Sequence, residues 1–177
     1  AVGNLGAVAA TPKVLGALVR FLLMHKSIFV CNSFANAISK LGPAAATPEI
    51  LEVLAGLLED YSARSSAAEA VGNLGAAAVT PRLLDTLVRL LTDEDAYTRR
   101  FAEMVTGQLG VVAATPEILN ALAGLLVHES SYVRNSAANV VSKLGAVAAM
   151  PKILDALMGL LAHKDIDVRS SATEMLG

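Results

Sequence analysis

The sequence predicts an all-α solenoid of five two-helix repeats, and three observations carry that expectation. The first is composition. Of 177 residues, 32 are Ala and 27 are Leu, aromatics make up 4% and Trp is absent. Ala and Leu favour helix, whereas aromatic and β-branched residues favour strand. The second is a Thr-Pro pair at Thr11-Pro12, Thr47-Pro48, Thr80-Pro81 and Thr115-Pro116, with Met150-Pro151 as a fifth copy. Successive prolines are 36, 33, 35 and 35 residues apart. The third is a Leu-Gly pair of the same phase, at Leu5-Gly6, Leu41-Gly42, Leu74-Gly75, Leu109-Gly110 and Leu144-Gly145, together with a Leu-Leu pair ending at Leu23, Leu58, Leu91, Leu126 and Leu161. A period of about 35 residues, five times over, leaves no room for a separate globular domain. Residues 1–177 therefore read as a single array. Its repeats lie near 7–42, 43–75, 76–110, 111–145 and 146–177, and residues 1–6 are the end of a preceding repeat.

Each period holds two helices. Helix A begins at Thr-Pro, because Thr caps a helix N-terminus and Pro suits the first helical position, where its missing N–H has no partner. In the second repeat Ile50, Leu51, Leu54, Leu57 and Leu58 follow at helical spacing. Helix B begins after a short polar turn at Ser27, Asp60, Asp95, Ser130 and Asp165, all capping residue types. It runs to Leu-Gly, where Gly takes a left-handed conformation, and a short Ala/Val-rich linker leads to the next Thr-Pro. Gly56, Gly124 and Gly159 fall inside helix A, where they are expected to allow close approach between helices.

Composition also excludes several classes. Apolar residues at 54% and charged residues at 17% exclude disorder. Mean hydropathy is +0.56, yet polar residues interrupt every apolar run well short of the roughly 18 residues of a spanning helix, so no membrane role is expected. A single Cys excludes an intramolecular disulfide framework. With no secretory signal in the sequence, a cytoplasmic location is expected. A net charge of −2 gives no global pull toward nucleic acid. Ala1-Val2-Gly3 matches the phase of both Ala70-Val71-Gly72 and Met175-Leu176-Gly177. The ends therefore read as cuts inside a helix B of a longer array, and end-to-end self-association through the cut repeats is expected.

The segment Leu90 to Ala102, with Val133-Arg134-Asn135-Ser136-Ala137 and Val168-Arg169-Ser170-Ser171-Ala172, resembles the HEAT-repeat family. That family places a Pro in helix A, an Asp in the turn and Val-Arg at the start of helix B. Armadillo repeats, with three helices in a longer period, are the nearest rival. The resemblance implies a right-handed superhelix. It also implies that Arg64, Arg99, Arg134 and Arg169 form a ladder reaching the A–B turns. Cys31 stands in the Arg slot of the first repeat, and His25, His128 and His163 stand where Asp93 keeps the turn Asp, so the ladder is expected to be incomplete.

Aligning the B helices separates core from surface. Val30, Ala63, Thr98, Val133 and Val168, then Phe34, Ala67, Ala102, Ala137 and Ala172, stay apolar or small and face the core. A second set varies at three- and four-residue spacing and shares one face. Its candidate binding residues are Phe29, Asn32, Asn36, Glu69, Tyr97, Arg100, Met104, Tyr132, Asn135 and Asn139. In HEAT-like arrays this face is concave. Aromatic, Arg and Met side chains are enriched where proteins meet. Phe29, Tyr97 and Tyr132 either belong to such a groove or cover the edge of the core.

Chemistry is otherwise sparse. The three His share one repeat position, but neighbouring repeats stand roughly 10 Å apart while zinc ligands sit about 2 Å from the metal, so no metal site is expected. Cys31 lacks a third group to activate it. No glycine loop resembles a phosphate binder. The basic groove that nucleic acid needs is missing, because Arg100, Lys40 and Lys143 are balanced by Glu69, Glu103, Asp167 and Glu174. The expected function is a non-catalytic scaffold, without cofactor, holding a protein or peptide on the helix-B face. Two alternatives stand beside it: an enzyme-associated array resembling bilin lyases, which grips a chromophore or its carrier protein, and a plain spacer.

Overall fold

A computed structural model describes residues 2–25, 27–164 and 166–176. The described residues hold ten α-helices and no strand. The A helices are α1 (Pro12–Met24), α3 (Pro48–Glu59), α5 (Pro81–Leu91), α7 (Pro116–Leu126) and α9 (Pro151–Leu161). The B helices are α2 (Ile28–Leu41), α4 (Arg64–Leu74), α6 (Ala96–Leu109), α8 (Ser131–Leu144) and α10 (Ile166–Leu176). A 3₁₀ segment, Val2–Ala9, bends at Gly6 and packs against α2.

The Thr-Pro starts are built as their chemistry requires. Thr11, Thr47, Thr80 and Thr115 each accept, through Oγ1, the N–H three residues on, at 3.4, 3.4, 3.2 and 3.4 Å. Met150 has no side-chain oxygen to do this. Ser27 caps α2, and Asp95 caps α6 by accepting both the N–H and the hydroxyl of Thr98 at 2.8 Å. Two starts differ from the expectation. Asp60 does not cap α4, which begins at Arg64; its carboxylate instead closes a turn by accepting the N–H and the hydroxyl of Ser62. Ser130 stands at the N-cap of α8 without a side-chain bond, its own N–H donating to His128 Nδ1 at 3.1 Å. Asp165 lies outside the described residues.

The linkers are ordered. Each Leu-Gly opens a single 3₁₀ turn, at Gly42–Ala45, Gly75–Ala78, Gly110–Ala113 and Gly145–Ala148. The glycines have φ between +56 and +65, but ψ lies between −130 and −157, away from the left-handed helical value. That region is essentially closed to residues with a Cβ. Each turn ends in an Ala at 1% exposure or less, Ala45, Ala78, Ala113 and Ala148.

Cα packing divides the chain into two compact units, Ala1–Thr86 and Leu87–Gly177. In the first, α1 packs on α3 and α2 on α4. In the second, α7 packs on α9, while α8 packs on both α6 and α10. Like helix lies on like helix in both. Helix A buries Ile50, Leu54 and Leu58 in one repeat and Ile118, Leu122 and Leu126 in another, a three- and four-residue stripe facing inward. Helix B buries Ala67, Ala102, Ala137 and Ala172 completely, and these short side chains let neighbouring B helices close together. The expected core set is otherwise buried except for Val30 and Val168, which are half-buried.

Gly56, Gly124 and Gly159 overturn their expected role. They lie on the outer side of helix A, and a Cβ added at any of them meets nothing within 4 Å. They carry the backbone-entropy cost of glycine with no packing gain. Gly56→Ala, Gly124→Ala and Gly159→Ala should each raise stability by about 0.5–1 kcal/mol. Gly110→Ala, at positive φ, should lower it by about 1–3 kcal/mol. Denaturant midpoints at constant m-value measure both.

Candidate functional site

The arginines fix the turns. Arg99 Nη1 donates to the carbonyls of Asp93 and Glu94 at 2.7 and 2.8 Å. Arg134 does the same to His128 and Glu129, both at 2.8 Å. Arg169 reaches His163 and Lys164 at 2.8 and 3.0 Å. Each guanidinium therefore holds the carbonyls six and five residues before it. The acceptor is backbone, so His in place of Asp at the earlier position leaves the contact intact. Arg64, the first residue of α4, stands over the ring of Tyr61 in the preceding turn at 5.0 Å. Tyr61 lies in that turn, although a helix B starting at Asp60 would have included it.

The histidines serve the turns as well, and the His25 ring lies 5.1 Å from that of Phe21. Among the described residues no three His, Cys, Asp or Glu side chains converge on a metal position. Cys31 is buried in α2 and lines a cleft of about 390 Å³ with Leu22, Ile28, Val53 and Leu57. That lining contains no basic residue to stabilise a thiolate.

On the helix-B face the aromatics are exposed and do not cover the core. Phe29 is 80%, Tyr97 78% and Tyr132 69% exposed. In the first unit Asn36 and Glu69 are exposed and Asn32 is half-buried. In the second unit the face forms an open cleft of about 680 Å³ between α6 and α8. Tyr97, Arg100, Met104 and Asn139, four of the candidate residues, line it. Asn135 is exposed outside the cleft lining, and the Tyr132 ring lies 5.4 Å from the Arg99 guanidinium carbon.

Four lining residues escaped the sequence reading as site residues: Phe101, Glu103, Ser142 and Lys143. Glu103 is nearly buried; its Oε2 accepts from Asn139 Nδ2 at 3.1 Å and its backbone carbonyl accepts from Lys143 Nζ at 3.3 Å. The Lys143 stem crosses Gly107 so closely that a Cβ there would sit 2.8 Å from Lys143 Cδ. The first unit has a related contact, Asn73 Nδ2 donating to Ser39 Oγ at 2.6 Å. A sequence signal for this existed: Ser39, Gly72, Gly107 and Ser142 keep one B-helix position small, each followed by a polar residue, Lys40, Asn73, Gln108 or Lys143.

A family model of HEAT repeats matches residues 84–177, just over half of the chain. The chain belongs to the HEAT-repeat family. Solved structures of similar fold cover nearly all of it. One engineered protein is 25% identical with a TM-score of 0.55, over 92% of this chain and 47% of its own, so the chain spans about half of that length. A second engineered protein is 24% identical with a TM-score of 0.56, over 96% of this chain and 82% of its own. A designed armadillo repeat protein, solved in complex with the peptide (KR)4, is 20% identical with a TM-score of 0.51, over 99% of this chain and 87% of its own. The fold is that of an all-α repeat solenoid. No curated protein matches the sequence.

Two expected outcomes follow from the turn geometry. Arg99 is only 7% exposed and satisfies two carbonyls, so Arg99→Ala should cost about 2–3 kcal/mol, and Arg134→Ala, at a more exposed turn, less. Urea denaturation compares them. The Ser62 hydroxyl and then its N–H hold the Asp60 carboxyl below the ordinary carboxylate range. A depressed folded pKa gives stability present above the unfolded value and lost as pH falls through the folded one. Ser62→Ala should therefore raise the Asp60 pKa toward its ordinary value, as read by NMR titration.

Proposed function

We propose that this chain is a non-catalytic scaffold that holds a protein or peptide segment on the helix-B face of its repeats, seated chiefly in the cleft between α6 and α8. One observation carries the reading. Tyr97, Arg100 and Met104 stand exposed along a cleft whose floor is tied by Asn139 and Lys143 to Glu103. Exposed aromatic and Arg anchors on a frame already ordered by secondary structure lose little entropy on binding. Tyr132 and Asn135 extend that face in the second unit, and Phe29, Asn32, Asn36 and Glu69 form the corresponding face of the first.

The designed armadillo protein solved in complex with (KR)4 supports the capacity of such a fold to take a peptide. Among the described residues no helix is long and apolar enough to cross a membrane.

Selection of a displayed random-peptide library on the wild-type chain tests the proposal. Wild type should enrich a peptide family, and the triple variant Tyr97→Ala, Arg100→Ala, Tyr132→Ala, with its helical circular dichroism retained, should bind that family about tenfold or more weakly. Equal binding by both proteins would place the site elsewhere.

A further inference from the structure

The cleft between α6 and α8 carries an electrostatic preference that composition conceals. In the sequence Arg100 and Lys143 are balanced by nearby carboxylates. In the fold, Glu103 is 9% exposed and its carboxylate is engaged by the Asn139 amide. Neither Arg100 nor Lys143 makes an ion pair among the described residues. Arg100 is exposed, and Lys143 is held over Gly107 with its ammonium on a backbone carbonyl. Two cations on facing helices thus flank an apolar strip of Tyr97, Phe101 and Met104, and they outnumber the one carboxylate in the lining, that of the nearly buried Glu103.

Lys143 is positioned by its surroundings. Its stem fits only because residue 107 has no Cβ, and Glu103 offers it a carbonyl, not a competing carboxylate. A carboxylate arriving from outside gains two charge-assisted partners at the cleft edge. A basic segment meets like charge instead.

We infer that the segment bound in this cleft is an acidic peptide of another protein, with Asp or Glu side chains meeting Arg100 and Lys143 and a large apolar side chain lying on Tyr97, Phe101 and Met104. This inference rests on the peptide-binding reading above and specifies its ligand class.

The probe is the family of peptides enriched by the library selection, measured by fluorescence anisotropy at low and high salt. The enriched peptides should be rich in Asp and Glu around one apolar residue and should weaken as salt rises. Arg100→Glu with Lys143→Glu, both at exposed positions, should lower affinity about tenfold or more and should select Lys- and Arg-rich peptides in a repeat selection. Gly107→Ala displaces only the Lys143 stem. It should leave thermal stability nearly unchanged while weakening acidic peptides by several-fold.

Peptides without acidic excess, lost on the triple alanine variant yet unaffected by charge reversal, would overturn the acidic assignment and leave the binding reading intact. Failure to enrich any peptide would overturn both. Concentration-dependent self-association in sedimentation, abolished by charge reversal, would replace the foreign peptide with a second copy of the chain and overturn the inference in that way.

Discussion

The structure depends on the joint that ends each B helix and starts the next A helix. A two-helix repeat has one apolar face and cannot bury it alone, so the angle at which the next repeat returns decides whether a core forms. That angle is set by a glycine at φ near +60 and ψ near −140, a single 3₁₀ turn, and an alanine pressed into the core. The glycine is required because a Cβ is strained in that backbone region. The alanine is required because the turn has no room for more. Thr-Pro follows two residues after that alanine, caps helix A and fixes its first φ. The repeating Leu-Gly and Thr-Pro pairs are thus the two ends of one mechanical element.

Much of this element was legible because its parts are residues with few uses. Pro at the first helical position and Gly at positive φ are backbone requirements, and they announce themselves whatever the surroundings. The A-helix stripe was equally legible, since Leu at three- and four-residue spacing has one economical arrangement. What failed was the reading of small residues whose reason lies in a neighbour. Gly56, Gly124 and Gly159 looked like points of close approach and face solvent; Gly107 drew no such notice and has a lysine stem across it. A glycine in a helix says that a side chain is missing, and only the packing says whether anything occupies the space.

The turns show the same division. Val-Arg at the start of helix B led to the correct region, but the partner came out differently from what side-chain identity implied. Arg99, Arg134 and Arg169 hold backbone carbonyls, which every residue supplies. The alternation of Asp and His at the acceptor position is therefore compatible with one unchanged contact, and its variability carries no weight. Chain length matters more: the second repeat is two residues shorter, α4 starts only at Arg64, and that guanidinium lies over the ring of Tyr61 in the turn.

The cleft follows from these constraints. The buried alanines of helix B let neighbouring B helices lie close, and closeness makes the side chain one position after the small residue cross onto the previous helix. In one unit that crossing is an Asn on a Ser; in the other it is a Lys over a Gly. The crossing that holds the B helices together also decides which charge lines the face between them. Lys143 serves packing through its stem and leaves its ammonium at the cleft, bonded to the Glu103 carbonyl, while Asn139 donates to the Glu103 carboxylate. Formal charge counted along a helix gives each residue equal weight. Burial and hydrogen bonding remove that equality: Glu103 is nearly buried and held by Asn139, while Arg100 and Lys143 stay exposed on the same face.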